Sequence, residues 1–235
     1  MSLELTILDI GKKSYEDAWK IQKELFERRK KREVCDTLIL AEHSPTISFG
    51  ANEEWNKLHV SKEELEKLGI YFVKSERGGG AAYLGPGQLV GYTIMEIRKF
   101  GGVLSFMMGL EETMIKTAHD FGIKIGRYDV MNPTTDKPYR ATWYKNGKDI
   151  PEVLCTKGIK VALEGGSIYT HHGFALNVNK VEPNYFHFVD PCGFPVNEVK
   201  PIYMNEITGK EIELEKLKKI LIKNFKHVFF PTSVI

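Results

Sequence analysis

Glu76-Arg77-Gly78-Gly79-Gly80-Ala81-Ala82-Tyr83-Leu84-Gly85-Pro86-Gly87-Gln88-Leu89-Val90 is the stretch whose reading decides the fold. Its glycines let a ligand come close to backbone N–H groups. A phosphate cradle is the first possibility to test. The order is not G-x-x-x-x-G-K-[ST], and no helix opens behind it as it does after G-x-G-x-x-G. The next segment, Gln88 to Ile97, reads as a strand. The run is expected to wall an extended apolar or amide-bearing ligand rather than a nucleotide. Arg77 could pair with an acidic partner or an internal carboxylate. The plainer alternative is a tight β-connection with Arg77 in a surface ion pair.

Outward from the loop, strands mix with a few helices. Leu3–Leu8 and Thr37–Ala41 read as strands on each side of a helix that Ser14 caps and that runs to about Lys31. Ala18, Ile21 and Leu25 give that helix its apolar face. Ser61 to Glu64 is a capping box and Gly69 a helix stop. Tyr71–Val73 is a short strand. Met107, Leu110, Met114, Ala118 and Phe121 form the stripe of a central helix. Past Gly122 the pattern breaks into short strands, with Asn146-Gly147 as a hairpin turn and 127–156 as a polar surface excursion. Lys160–Leu163 and Gly173–Val178 read as strands. A last helix presents Leu214, Leu217, Ile220, Leu221 and Phe225. The expectation is a single α+β domain over 1–235, with helices packed on a mainly antiparallel or mixed sheet.

Composition narrows the function. The 235 residues carry 33 Lys+Arg against 31 Asp+Glu, a net charge of +2, so bulk charge gives no reason to expect a nucleic-acid partner. With 42% hydrophobic residues the chain can bury a core. No apolar run suits a membrane span, and no signal peptide is visible. Cys35, Cys155 and Cys192 are too few for a disulfide scaffold. The default is a soluble cytoplasmic protein with no membrane partner.

A thiol in such a setting is either filler or chemistry. Cys192 lies between Pro191 and Gly193, where proline fixes the approach and glycine leaves the following N–H free as an oxyanion donor. Cys35 reads as core-edge filler, and Cys155 as either. Lys157 and Lys160 are candidate cations for a thiolate. A zinc site from His171, His172, His187 and Cys192 is disfavoured, because adjacent strand histidines point to opposite faces and no ligand spacing supports it. No metal is expected. No G-x-S-x-G elbow supports serine hydrolysis.

Four ordered motifs now carry a resemblance. Arg77-Gly-Gly with Tyr83 and Gly85-Pro-Gly-Gln-Leu-Val-Gly-Tyr92 is similar to the signature of the lipoyl(octanoyl)transferases. Glu42-His43-Ser44-Pro45, Lys160-Val-Ala-Leu with Gly165, and His172-Gly-Phe-Ala-Leu-Asn-Val-Asn179 with Pro191-Cys-Gly193 resemble its other segments. The resemblance implies a fold shared with biotin and lipoate protein ligases. It also implies transfer of an octanoyl or lipoyl group from acyl carrier protein to the lysine of a lipoyl domain, in 2-oxoacid dehydrogenases or the glycine cleavage H protein. No cofactor and no ATP are implied. Cys192 would be the acyl-accepting nucleophile and Lys160 its partner. Aligning on K-V-A-L selects Lys160, while a gapless count back from His172 selects Lys157. Arg77, Gly78, Gly79, Gly80, Ala81, Ala82, Tyr83 and Leu84 would bind the acyl group. Leu163, Glu164, Gly165, Gly173, Phe174 and Ala175 would join them.

The chain departs from the family where Ala82 and Leu84 replace a usual threonine and histidine, and where Gly80 and Thr93 stand for a polar residue and a proline. Two other classes stay open: an ATP-dependent lipoate or biotin ligase, and a non-catalytic acyl- or lipoyl-domain-binding protein. The basic run Arg28 to Arg32 would suit an acidic carrier protein, or is a solvated helix end with cations near its C-terminus.

Overall fold

The computed structural model describes residues 4–132, 137–144 and 152–231. Strand β1 (Leu5–Lys13) leads into helix α1 (Tyr15–Lys30), whose first turn is capped as expected: Ser14 Oγ accepts from the Asp17 amide at 3.1 Å. Strand β2 (Asp36–His43) returns parallel to β1. Next come β3 (Thr46–Phe49), the short helix α2 (Lys62–Lys67), β4 (Tyr71–Lys74) and β5 (Ala82–Leu84). Strand β6 (Gln88–Glu96) leads to the long helix α3 (Gly102–Asp120). Strands β7 (Ile125–Asn132), β8 (Lys137–Tyr144) and β9 (Glu152–Val153) come next, then the hairpin of β10 (Cys155–Glu164) and β11 (Ser167–Asn177). Strand β12 (Lys200–Pro201) and helices α4 (Met204–Thr208) and α5 (Leu214–Phe229) close the chain. The expected turn at Asn146-Gly147 lies outside the described residues.

The main sheet has the order β1-β2-β6-β11-β10, antiparallel except for the first pair. Helix α1 covers one face, burying Tyr15, Ala18, Gln22 and Phe26 at helical spacing. Helices α3 and α5 cover the other. Leu110, Met114 and Ala118 meet Leu217, Leu221 and Phe225 there, all at most 2% exposed. A mixed fold with helices on a largely antiparallel sheet is therefore what forms. The polar stretch 127–156 contributes to a second sheet, β12-β9-β8-β7. Trp143, Val153, Leu154 and Cys155 of that stretch are buried, so apolar residues spaced between turn formers found a core.

A three-stranded sheet, β4-β3-β5, supports the glycine-rich loop. The loop crosses the edge strand β10 with almost no clearance. The Gly78 amide donates to Ile159 O at 2.9 Å, and a Cβ on Gly158 would lie 2.6 Å from Gly78 O. Glycine on both sides is what lets two backbones touch. One strand further in, the Phe174 ring lies over Gly91, where a Cβ would come within 2.1 Å of it.

Gly158→Ala is thus expected to lift the loop while leaving the sheet folded. Hydrogen exchange at Gly78 should lose most of its protection, and the melting temperature should fall by only a few degrees, as for a local overpacking cost of about 1–3 kcal/mol. Unchanged protection at Gly78 would show that the crossing does not depend on this contact.

Candidate active site

Two cavities open on either side of β10 and meet at Thr156, Lys157 and Phe174. The first spans about 510 Å³ with its mouth, between α3 and the second sheet. Leu110, Met114, Trp143, Val153 and Phe194 make it apolar, and Pro191 lines it one residue before Cys192. The second lies under the glycine loop and beside the start of α1. Arg77, Gly79, Ala81, Ala82 and Leu84 wall it on the loop side; Gly173, Phe174 and Ala175 form its floor. Tyr15, Tyr92 and His172 give it a polar end that sequence reading missed.

Strand periodicity separates the two candidate lysines. On β10, Cys155, Ile159 and Val161 pack in the core beneath α3 and α5, whereas Ala162 packs with α1. Successive side chains alternate faces, so Lys157 falls on the α3 side and Lys160 on the α1 side. Lys157 Nζ donates to Glu111 of α3, and Glu111 also accepts from Arg127 Nε at 2.8 Å. Lys160 pairs across the strands with His171 and lines neither cavity. The K-V-A-L alignment that selects Lys160 ignores this alternation; the gapless count selects the lysine that reaches the cavities.

Residues Pro191–Gly193 form a single 3-10 turn. The side chain of Cys192 lies outside the described residues. Asp190 holds the turn: its Oδ1 accepts from His59 Nε2 at 2.6 Å and from the Val196 amide at 3.0 Å. The Gly193 amide turns inward to Asp190 O at 3.4 Å, so the expected free oxyanion donor is engaged in the turn. The other cysteines sort themselves. Burial pushes the Cys155 thiol up to about 12, leaving it protonated and inert, although it shares the Lys157 cavity. Cys35 is exposed and donates to Glu4, so it is not core-edge filler.

The remaining expected site residues divide by position. Gly78 and Gly80 belong to the loop's packing and Tyr83 to a buried cluster beneath it; none of the three lines either of these cavities. Leu163, Glu164 and Gly165 lie at the exposed tip of the β10–β11 hairpin. None of the three lines either of these cavities. Arg77 holds the loop to β3 by donating to Ser48 O at 2.6 Å and Ser48 Oγ at 3.2 Å. Most of the basic run is tied down: Arg29 pairs with Asp36 at 2.7 Å, and Lys30 with Glu27 and Glu164.

The histidines overturn one expectation. His171 and His172 do not point apart. Their rings lie 4.7 Å apart, and both meet Trp19 of α1. His172 has a φ of +62°, which breaks the alternation and folds the second ring back to the same face. Among the described residues no three His, Cys, Asp or Glu side chains converge to hold a metal. His43 Nδ1 contacts the Lys13 carbonyl at 2.8 Å and so carries the proton. Its Nε2 therefore accepts from the Tyr92 hydroxyl at 2.6 Å.

The fold, a main sheet flanked by helices on both faces, is similar to that of solved lipoate ligases. A crystal structure of lipoate-protein ligase A bound with ATP superposes with a TM-score of 0.65 at 15% identity, covering 97% of this chain and 85% of that one. A bi-partite lipoate protein ligase from Thermoplasma acidophilum gives 0.62 at 13%, over 97% and 84%. In sequence, residues 14–226 match the family described as the lipoyl protein ligase A/B catalytic domain. The chain is 36% identical to an octanoyltransferase of Dictyoglomus thermophilum, over 99% of its own length and 91% of the relative's. It is 34% identical to an octanoyltransferase of Roseiflexus, over 96% and 87%. The chain belongs to the lipoyl protein ligase A/B catalytic family. No described helix is long and apolar enough to cross a membrane.

The buried imidazoles set an acid limb of stability. Burial, helped by the nearby Lys160 charge, brings His171 down to about 4, and burial lowers His43 and His172 as well. Unfolded histidine titrates near about 6.5, so between there and about 4 the unfolded chain binds more protons and stability falls as pH falls. Thermal melts should be level from pH 8 to about 6.5 and decline below it. His171→Phe, placed against Trp19 and Phe26, should shallow that decline. An acid limb identical in the variant would show that this ring carries no such linkage.

Proposed function

We propose that this chain transfers an octanoyl group to the lysine of a lipoyl domain, through a thioester on Cys192 and with Lys157 as the proton carrier. One observation carries the reading. Lys157 stands where the two cavities meet, and it shares one of them with Pro191 of the cysteine turn. The octanoyltransferase relatives, matched over nearly the whole chain, supply the acyl group and the reaction class. The matched span supports treating 1–235 as one catalytic unit. Acyl carrier protein fits as donor because it presents its acyl group as a thioester, which exchanges with a cysteine at little free-energy cost.

The proton balance then closes without a cofactor. The Cys192 thiolate attacks the donor carbonyl, the donor C–S bond breaks, and the leaving thiolate takes a proton from the Lys157 ammonium. The acceptor amine, neutral, attacks the Cys192 thioester. An amide C–N bond forms, the C–S bond to Cys192 breaks, and the amine proton passes to the now neutral Lys157. The enzyme returns to thiolate and ammonium. Splitting the transfer into two steps leaves each with an activated acyl group, and a base beside the amine supplies the second step. The apolar floor at Phe174 and Ala175, under the loop backbone, suits a chain with no polar atoms.

Intact mass after incubation with octanoyl-acyl carrier protein and no ATP tests this. An octanoyl adduct is expected on the wild type and absent in Cys192→Ala. Lys157→Ala should slow amide formation by about 10²–10⁴-fold, whereas Lys160→Ala should retain most of the rate. An adduct that persists in Cys192→Ala would remove the nucleophile. Product that requires ATP and free octanoate would make the chain a ligase, and binding without adduct would make it a carrier. Full rate in Lys157→Ala with loss in Lys160→Ala would restore the other lysine.

A further inference from the structure

We infer that Glu111, clamped by Arg127, is the residue that positions the Lys157 amine for both proton transfers. The inference rests on the reading of Lys157 as proton carrier. Glu111 is a carboxylate 5% exposed within the apolar stripe of α3, flanked by Leu110 and Met114. Its two oxygens are divided. Oε1 accepts from Lys157 Nζ, and Oε2 from Arg127 Nε at 2.8 Å. Arg127, the third residue of β7, is itself fixed by Glu112 Oε2 at 2.9 Å and Met108 O at 3.1 Å. Two turns of α3 thus hold the guanidinium that holds the carboxylate.

A fold does not need this group for stability. A buried carboxylate is costly unless paired, and an apolar residue in its place would extend the stripe. The chemistry gives it a purpose. As an ammonium Lys157 has three N–H donors; as an amine it has two and a lone pair. In either state one N–H can stay on Glu111 Oε1, so the nitrogen keeps its place while its charge changes. In the amine state the lone pair is then free to face the cavity junction. Arg127 serves by occupying the other carboxylate oxygen, which leaves Oε1 turned toward Lys157. The other ionisable groups lining the two cavities are Cys155 of its own strand and Arg77, Tyr15, Tyr92 and His172 on the loop side, and Glu112 of α3 holds Arg127. Glu111 is a positioning residue, since it acts through Lys157.

The test compares wild type with Glu111→Gln, Glu111→Asp and Arg127→Met, reading the rate of amide formation, donor KM and the labelling of Lys157 by an activated ester, followed by peptide mapping. In Glu111→Gln the amide-forming rate should fall by about 10²-fold with donor KM within about twofold, and Glu111→Asp should recover about tenfold of the loss. Lys157 in the Gln variant should label several-fold faster, because its nitrogen is no longer held against a carboxylate. A folded Gln variant with rate within about threefold of wild type overturns the inference. So does a slow Gln variant whose labelling is unchanged and which Asp does not rescue, because that pattern is structural. If Glu111→Gln fails to fold, Arg127→Met decides: a rate lower by about tenfold supports the inference, and one within about threefold overturns it. Failure of the underlying reading looks different, as full rate in Lys157→Ala.

Discussion

The site depends on one backbone crossing. Where the glycine loop meets β10, the Gly78 amide bonds to Ile159 O and its own carbonyl presses on Gly158. β10 is the edge of the main sheet, so among the described residues its outward backbone groups have no strand to pair with. The loop takes that place without forming a strand. One consequence is that the edge is covered. The other is that the loop backbone is held just above the sheet, leaving a cavity between them. Because side chains alternate, the residue before Gly158 is delivered to the opposite face. Lys157 thereby stands at the boundary between the loop cavity and the one beneath α3. The edge strand lines both compartments and carries the lysine that stands at their junction.

The second sheet acquires its meaning from the same geometry. It buries Trp143 against Phe194, and Phe194 comes directly after the cysteine turn. It also sends Arg127 to Glu111. A stretch that reads as decoration from its polarity therefore touches both members of the proposed dyad's surroundings: the turn that carries Cys192 and the carboxylate that receives Lys157. Asp190 completes this by tying the turn to His59 on the far side. The turn is held from two directions, by the Trp143–Phe194 packing and by the Asp190–His59 hydrogen bond.

How much of this is legible in the chain depends on which signals are local. Caps and periodic faces are: Ser14 and Ser61 start the helices they should, and the α3 and α5 stripes are where the spacing puts them. The glycine loop is legible as a wall because a strand, not a helix, comes after it. The lysine is half legible. Strand alternation is available in the sequence, since Cys155, Ile159 and Val161 share the parity of Lys157, but the short K-V-A-L match points the other way. The histidine pair is not legible, because the left-handed φ of His172 is a tertiary outcome with no local signature. Glu111 carries a weak signal, a lone acid in an apolar stripe, which a surface-facing position would explain equally well. Asp190 and Arg127 act through partners 131 and 16 residues away; no pattern in the chain alone joins those pairs.

The departures in the loop have a physical reading through Trp55. A side chain at position 80 would put its Cβ 2.4 Å from the Cβ of Trp55, and the Trp55 carbonyl accepts from the Ala81 amide at 3.2 Å. On its other side the indole covers Gly193, where a Cβ would fall 2.8 Å from the ring. Trp55 is therefore wedged between the loop and the cysteine turn, and the missing polar side chain at position 80 is the space it occupies. Ala82 and Leu84 present backbone and aliphatic groups to the loop cavity, beside Arg77, Tyr15, Tyr92 and His172. The charged groups lining the two cavities are Lys157, Glu111 and, on the loop side, Arg77. Ala82 and Leu84 make part of the loop-side wall aliphatic, while the buried Glu111 carboxylate fixes Lys157 at the junction with the other cavity. Displacing Trp55 would disturb both the glycine loop and the cysteine turn, since they rest on opposite sides of the same residue.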